Sequence, residues 1–167
     1  FDGLSHFAVD DVGSLRCQPG LTIWTPSDEV DVSTQFKSVN DFAGPVYMRI
    51  LKNSVKCNTP RLLQDSGIGA MISILSLGDA HPIGEDILRR VAEIASDVSH
   101  QTVNLLSLNL TYVIQQHLAK TKICIVVENH YVVGGLSSLV AEVVANSSLN
   151  VLVIPVGVES LPIGKLG

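Results

Sequence analysis

The sequence predicts an α/β fold in which a mainly parallel sheet is covered by helices on both faces. Hydrophobic residues make up 46% of the 167 positions, which is enough apolar material for a packed core. Short apolar runs alternate along the chain with stretches of helical spacing. Runs that are apolar at every position are typical of strands buried on both faces, and their alternation with helices favours parallel pairing.

The first part of the chain contains two predicted strands and one helix. The apolar run at 21–24 predicts a strand, and the run at 46–51 predicts the next. Between them, Asp28 is suited to cap a helix. The apolar residues near helical spacing in that helix are Val30, Phe36 and Val39.

A polar stretch at 52–65 predicts a linker, since it lacks apolar periodicity and contains a proline at position 60. It divides the chain near residue 60. Residues 1–59 are predicted to be part of one domain, and residues 60–167 a complete second domain.

The second part repeats the strand-helix pattern. The predicted strands are 70–77, 103–108, 123–127 and 151–156, and the predicted helices are 82–95, 111–119 and 136–144. The first of these helices carries its apolar residues on one side, at Ile83, Ile87, Val91 and Ile94.

Charge and apolar patterning exclude several classes of partner. The formal net charge is -5, and no run of Lys or Arg offsets it locally, so we expect no binding to nucleic acid or to anionic membranes. No apolar run approaches the roughly 20 residues that span a bilayer, and no signal-peptide pattern opens the chain.

The three cysteines are odd in number and widely spaced, at Cys17, Cys57 and Cys124. This spacing predicts neither a disulfide framework nor a zinc site. Reduced, mostly packed thiols are expected, which favours a cytoplasmic protein.

The opening segment, DGLSH at 2–6, crowds polar side chains around a glycine turn. The turn lets the Asp2 carboxylate and the His6 ring face the same cleft, where a carboxylate can bind sugar hydroxyls. The alternative is an Asx-turn at Asp2 with a surface histidine at position 6.

A short helix is expected after this turn. Asp10 and Asp11 lie in its first turn, where acidic side chains complement the helix dipole. Arg16 closes the helix, and its guanidinium could bind a sugar phosphate in bidentate fashion. A helix C-terminal cap is the alternative for Arg16.

Two polar groups follow in the second part. Glu128 and His130 end a strand ahead of a glycine pair, a place where parallel sheets put functional crevices. We favour a structural over a catalytic role for them. His81, His100 and His117 have no ligand-like spacing and are predicted to lie on the surface.

Several segments together resemble the transketolase family of thiamine-diphosphate enzymes. Residues 2–16 are similar to the family's Asp-Gly-Pro-Thr-His turn and its following acidic helix, with Leu4 and Ser5 in place of the proline and threonine. The other similar segments are 19–28, 44–49, 127–130 and 133–142.

The resemblance implies roles for particular residues. Asp2 matches an aspartate that reads sugar hydroxyls, and His6 a histidine that contacts the donor oxygen. Arg16 matches an arginine that faces the substrate phosphate in the related deoxyxylulose-phosphate synthases. Lys52 stands where most transketolases carry a phosphate-binding arginine, with a solvated linker lysine as the alternative. Arg49 stands where small-subunit relatives often hold a structural arginine.

The resemblance also implies an architecture. Residues 1–59 would be the last part of a pyrimidine-binding domain, and residues 60–167 the transketolase C-terminal domain, a three-layer sandwich. The glutamate that activates thiamine diphosphate is expected upstream of Phe1, and the site for the diphosphate and its magnesium ion in another domain. No catalytic residue is therefore assigned to this chain, and we expect the chain alone to bind no cofactor.

The implied function is that of part of an enzyme. The complete assembly, a homodimer or a pair with a complementary N-terminal cofactor-binding subunit, would transfer a two-carbon ketol unit between sugar phosphates. One alternative is an enzyme resembling deoxyxylulose-phosphate synthase or a 2-oxoacid dehydrogenase β-subunit, whose donor is a 2-oxoacid. The other is a non-catalytic interaction or dimerisation module.

Overall fold

The computed structural model describes residues 8–50, 55–63, 67–107 and 110–159. Within these ranges the helices are α1 (Asp11–Leu15), α2 (Glu29–Lys37), α3 (His81–Val91), α4 (Leu110–His117) and α5 (Leu136–Ala145). The strands are β1 (Thr22–Trp24), β2 (Val46–Met48), β3 (Ile72–Leu77), β4 (Val98–Val103), β5 (Leu105–Leu106), β6 (Ile123–Tyr131) and β7 (Leu152–Val158). Single 3₁₀ turns lie at Val39–Asp41, Gly78–Ala80 and Leu118–Lys120.

The strands form two sheets. The larger sheet holds four parallel strands in the order β4-β3-β6-β7, with Ile74 opposite His100 on one side and Ile125 on the other. The smaller sheet has the order β2-β1-β5. There β1 runs parallel to β2 but antiparallel to β5, and Ile23 lies opposite Leu106. The predicted mainly parallel sheet is confirmed.

Successive residues of β3 face opposite helical layers. Leu75 and Leu77 pack into the main core, which α4 and α5 complete from one side. Ile74 faces the other way and packs with Val127 against Ile87 of α3. The larger sheet therefore lies between two layers of helices, and the expected three-layer sandwich is confirmed.

Helix α2 begins as predicted but buries a different side. The Asp28 side chain accepts a hydrogen bond from the backbone N–H of Asp31 at 2.9 Å, which caps the helix. Val30 and Phe36 are 65% and 63% exposed. The helix instead turns the Asp31 carboxylate inward, where it pairs with Arg61 at 3.1 Å.

The strand predicted at 103–108 is wrong in its bounds. The main strand is β4, which ends at Val103, and only the two residues of β5 pair beyond it. The polar side chains of Ser99 and Gln101 hide β4 from a search for apolar runs. β4 is the last strand of the larger sheet, a position that accommodates such residues readily. Its other side forms an isolated parallel bridge between Thr102 and Arg61.

Residues 55–63 are not the free linker that their polarity predicts. The backbone N–H of Cys57 donates to the Asp28 carboxylate at 2.9 Å, and Leu62 is fully buried in the main core. Side-chain acceptors pair with polar groups of residues 55–63, and this polar segment can therefore pack against the rest of the protein. The division into domains near residue 60 stays a prediction.

The surface placement predicted for three histidines is wrong. His81, His100 and His117 are 1%, 6% and 1% exposed. Each ring has a polar partner: His81 Nε2 lies 3.1 Å from the Val55 carbonyl oxygen, His100 Nε2 lies 2.8 Å from Ser76 Oγ, and His117 Nδ1 lies 3.0 Å from the Gly67 carbonyl oxygen. Burial lowers the pKa of His117 and lowers the pKa of His100 to about 4.

The state of the cysteines agrees with the prediction of reduced, mostly packed thiols. Cys17, Cys57 and Cys124 are free, and the latter two are buried. Burial raises the pKa of the Cys124 thiol to about 12, so this thiol is unreactive at neutral pH. None of the described helices is both long and apolar enough to cross a membrane.

Candidate functional site

A group of polar residues lies where β2, β3 and β6 reach their carboxyl ends. We call it the carboxyl-edge cluster, and it consists of Asp11, Tyr47, Arg49, Asp79 and Asn129. Arg49 follows β2, Asp79 follows β3, and Asn129 lies near the end of β6. Open α/β sheets bind ligands at this edge. The sequence does not identify Tyr47, Asp79 and Asn129 as candidate site residues, because the residues that surround them come from distant segments.

The guanidinium of Arg49 is the centre of this cluster. Its Nη1 donates to the Asn129 side-chain oxygen at 2.6 Å. Its Nη2 donates to the carbonyl oxygens of Ala8 at 2.6 Å and Asn129 at 3.2 Å. Its Nε lies 3.3 Å from Asp11 Oδ2. One side chain thus joins the end of β2 to β6 and to the chain that leads into α1.

The acidic members of the cluster have different partners. The Asn129 amide donates to the Asp79 carboxylate, and burial raises the pKa of Asp79. The Tyr47 hydroxyl donates to Asp11 at 2.9 Å. Burial, together with that hydrogen bond, raises the pKa of Tyr47, so its hydroxyl keeps its proton at neutral pH. Asp11 therefore does more than complement the dipole of its short helix.

Helix α1 lies against the turn between β6 and α5. The backbone N–H of Gly13 donates to His130 Nε2 at 3.2 Å, and His130 Nδ1 lies 2.6 Å from the Tyr131 carbonyl oxygen. These partners place the single hydrogen of a neutral ring on Nδ1. Gly134 has φ +82°, and a Cβ there would lie 3.0 Å from Gly13 Cα. The contact between the two segments therefore needs glycine.

The Glu128 carboxylate binds the N-terminus of α5. Its two carboxylate oxygens accept hydrogen bonds from the backbone N–H groups of Leu136 at 2.8 Å and Ser137 at 2.9 Å. The carboxylate satisfies two N–H groups that a helix start leaves unpaired, and it complements the helix dipole. These contacts support the structural interpretation of Glu128 and His130.

Arg16 ends α1 and is held by α5. Its Nη1 and Nη2 donate to the two Glu142 oxygens at 2.8 Å and 2.6 Å, and its Nε donates to the Gly134 carbonyl at 3.0 Å. The hydrogen bond to Arg16 lowers the pKa of Glu142. The pair borders a cavity of about 370 Å³ that Cys17 and Leu106 also line. The phosphate-binding role of Arg16 stays a prediction.

The other three predicted substrate-binding residues, Asp2, His6 and Lys52, lie outside the described residues. Each adjoins the carboxyl-edge cluster in sequence. The first two precede Ala8, whose carbonyl Arg49 binds, and Lys52 follows Arg49 by three positions.

The described ranges contain no group of three or more His, Cys, Asp or Glu side chains placed to hold a metal ion. In the carboxyl-edge cluster, Asp11 Oδ2 and Asp79 Oδ2 face protein donors.

Comparisons with known proteins point to one family. No protein-family model matches the sequence. Over 172 residues the chain is 24% identical to a putative transketolase C-terminal section from Methanocaldococcus jannaschii, covering 96% of this chain and 52% of that protein. It is 25% identical over 174 residues to a 1-deoxy-D-xylulose-5-phosphate synthase from Porphyromonas gingivalis, covering 98% of this chain and 27% of that enzyme.

A solved structure shows the same fold. One such structure is a split-gene transketolase described as an inactive tetramer of beta subunits. It aligns with 95% of this chain and with 54% of its own chain, at a TM-score of 0.78 and 23% identity. The chain spans about half the length of the first curated relatives it matches. In sequence similarity and in fold, it corresponds to the C-terminal part of a transketolase-family protein.

Proposed function

We propose that this chain is part of a transketolase-like thiamine-diphosphate enzyme that transfers a two-carbon ketol unit between sugar phosphates. Its similarity to a transketolase C-terminal section runs along 96% of its length. Because it spans only about half of that relative, the activity would belong to a longer protein or an assembly.

One observation carries this proposal. The chain entering α1 is fixed at the carboxyl ends of β2 and β6, which belong to different sheets: Arg49 donates to the Ala8 carbonyl, and the Tyr131 N–H donates to the Val9 carbonyl at 2.7 Å. The DGLSH segment at 2–6 directly precedes these anchored residues. The described residues Ala8 and Val9 are bound at the carboxyl ends of strands, where α/β proteins bind small molecules, and this supports the proposal.

The proposed substrate contacts follow from side-chain chemistry. Asp2 would accept hydrogen bonds from donor hydroxyls, and His6 would contact the donor oxygen. Lys52 would attract the phosphate as a point charge, without the two-pronged geometry of an arginine. Arg16 is the weaker phosphate contact, since a phosphate would have to displace Glu142 from its guanidinium.

The cofactor would be bound largely outside the described residues. Thiamine diphosphate, held with magnesium, supplies the nucleophilic carbon and accommodates the electron pair left by carbon–carbon cleavage. A complementary N-terminal subunit or a second copy would provide those contacts in the cytoplasm. The tetrameric split-gene transketolase supports assembly from separate chains. This chain's own residues would bind and orient the sugar.

A second candidate uses a 2-oxoacid as donor. The similarity to a 1-deoxy-D-xylulose-5-phosphate synthase, which extends over 98% of this chain, favours it. Such an enzyme would share the fold and the sugar-phosphate acceptor but would release carbon dioxide from pyruvate.

The test is reconstitution of the chain with its complementary cofactor-binding subunit, thiamine diphosphate and magnesium. Parallel reactions receive an aldose phosphate with either a ketose phosphate or pyruvate, and products are identified by mass spectrometry. We expect a two-carbon-extended sugar phosphate from the ketose donor. Product from pyruvate alone would select the second candidate. Stable assembly without turnover of either donor would favour the interaction module.

A further inference from the structure

The cavity of about 370 Å³ beside Arg16 and Glu142 has the size and lining of a small-molecule site. Ligand pockets typically measure about 300–1,000 Å³ and combine apolar walls with a few polar groups. Here the apolar walls include Leu21, Leu106 and Leu139, and both members of the ion pair line the cavity. Leu106 and Leu139 belong to the main core, so these walls are largely formed before a ligand arrives. The described lining residues include no member of the carboxyl-edge cluster.

Arg16 offers this cavity a guanidinium that is already held in place. Its Nε donates to the Gly134 carbonyl, and its Nη1 and Nη2 donate to the two Glu142 oxygens. These bonds account for three of the five N–H groups of a guanidinium. Because the group is fixed from two sides, little side-chain freedom is lost when an anion binds to it. A carboxylate matches the remaining donors in shape and charge.

Glu142 supplies the opposite charge at the same place. Each of its oxygens accepts one bond from Arg16, whereas a carboxylate offers about four acceptor positions. Its side chain is half exposed, and it also lines a neighbouring cavity of about 260 Å³. A phosphate or a simple carboxylate at Arg16 would meet Glu142 as a like charge. A ligand that also carries an ammonium group would instead gain Glu142 as a partner.

We propose that this cavity binds an α-amino acid with an apolar side chain. The ligand carboxylate accepts hydrogen bonds from Arg16, its ammonium group donates to Glu142, and its side chain packs against Leu21, Leu106 and Leu139. The two charged groups of an α-amino acid are attached to one carbon, so both reach the members of a single ion pair. The site uses neither the sugar nor the thiamine cofactor and is therefore independent of the proposed function.

Cys17 provides a reporter of occupancy that needs no activity. It lines the same cavity and is exposed, whereas Cys57 and Cys124 are buried. N-ethylmaleimide should therefore modify Cys17 first in the 167-residue chain, and mass spectrometry measures the rate. A ligand in the cavity covers this thiol and slows its alkylation.

The first arm of the test compares three small molecules on the wild-type chain. L-Leucine carries both charges, 4-methylpentanoate lacks the ammonium group, and 3-methylbutylamine lacks the carboxylate. We expect L-leucine to slow alkylation saturably at millimolar concentrations. Each analogue should need a concentration at least about tenfold higher, since it lacks one set of charge-assisted hydrogen bonds.

Three outcomes of this arm would overturn the proposal. The first is an unchanged alkylation rate with millimolar L-leucine. The second is equal protection by L-leucine and 4-methylpentanoate, because Glu142 would then contribute nothing to recognition. The third is protection by inorganic phosphate but not by L-leucine, which would assign Arg16 to a phosphate.

The second arm tests the two charged residues with Arg16→Met and Glu142→Gln. The matched control is Arg90→Met, because Arg90 is an exposed arginine that pairs with Asp86 on α3. Isothermal titration calorimetry with L-leucine should show an affinity at least about tenfold lower in the first two variants and unchanged in the control. Wild-type affinity in Arg16→Met would overturn the site. If Arg16→Met does not fold, the ligand series on the wild-type chain still decides the proposal.

Discussion

The backbone N–H of Gly13 donates a hydrogen bond to Nε2 of His130, a residue 117 positions further along the chain, at 3.2 Å. The imidazole is fully buried. This single contact ties the short helix α1 to the end of the central strand β6. Nε2 accepts this hydrogen bond, while Nδ1 lies 2.6 Å from the Tyr131 carbonyl oxygen.

Replacing His130 with alanine should destabilise the fold by about 2–4 kcal/mol. The change removes a buried ring together with its hydrogen bonds to the Gly13 N–H and the Tyr131 carbonyl. Urea denaturation followed by circular dichroism measures the loss. Tyr112→Ala, at a surface aromatic that is 66% exposed, is the control and should stay within about 0.5 kcal/mol. Equal losses in the two variants would contradict the structural role of His130.

Glu128→Gln should destabilise the chain by about 1.5–3 kcal/mol, since the amide replaces one of two acceptors at the start of α5 with a donor that faces an N–H group. Glu142→Gln is the matched control. Glu142 lies on α5 itself but is half exposed in its ion pair with Arg16, and such pairs contribute about 0–1 kcal/mol. A smaller loss for Glu128→Gln than for Glu142→Gln would refute the capping role.

Stability should fall as the pH drops from about 6.5 to about 4, in part because of His100. Burial lowers its folded-state pKa to about 4 from the ordinary value of 6.5. The unfolded chain therefore takes up a proton in this window that the folded chain does not. The full effect is about 3 kcal/mol, present above pH 6.5 and lost by pH 4.

His100→Gln isolates this contribution, because glutamine does not titrate. Melting temperatures between pH 4 and pH 7.5 should vary less in this variant than in wild type. His117 acts in the same direction, so some pH dependence should persist. Identical pH profiles for variant and wild type would show that His100 does not cause the acid lability.

In the complete assembly, Asp2→Ala and His6→Ala should each lower kcat/KM by about ten- to hundredfold. The loss corresponds to charge-assisted hydrogen bonds worth about 1.5–3 kcal/mol. Melting temperatures should change little, since the proposed roles lie in recognition. Unaltered kinetics in both variants would remove these residues from the substrate site.

Lys52→Ala should mainly raise KM for phosphorylated sugars and spare unphosphorylated ones, because a lost phosphate contact weakens binding without affecting carbon–carbon cleavage. Lys56→Ala, at an exposed lysine nearby, should leave both substrate types unaffected. A Lys52→Ala effect of equal size on both types would assign this residue to the linker.

The sequence predicts the strands well where apolar residues dominate. β6 begins with five consecutive apolar residues, and β3 is apolar except at Ser73 and Ser76; the predicted starts of both strands lie within two residues of the observed ones. β4 was misplaced because Ser99 and Gln101 break its pattern. The residues of β4 alone do not show that this strand lies at the end of the sheet, where polar residues are tolerated. Its position follows from the strand order.

The same limit applies to the candidate site. The motif at 2–16 predicts a polar site at the start of the chain, but it does not reveal that the partners of Arg49 come from residues near positions 8, 11 and 129. The lack of ligand-like spacing predicts a surface position for His81, His100 and His117. Their burial depends on hydrogen-bond partners at Val55, Ser76 and Gly67, which sequence spacing does not reveal.

The antiparallel pairing of Leu105–Leu106 with β1 limits where this chain can be divided. A cut near residue 60 would leave β1 without one of its two neighbours and would separate Cys57 from its contacts with Arg61 and Thr102. Two fragments made at that point should fold together by complementation rather than separately. Circular permutants that open the chain elsewhere and keep residues 55–63 intact are the better route to studying the two sheets independently.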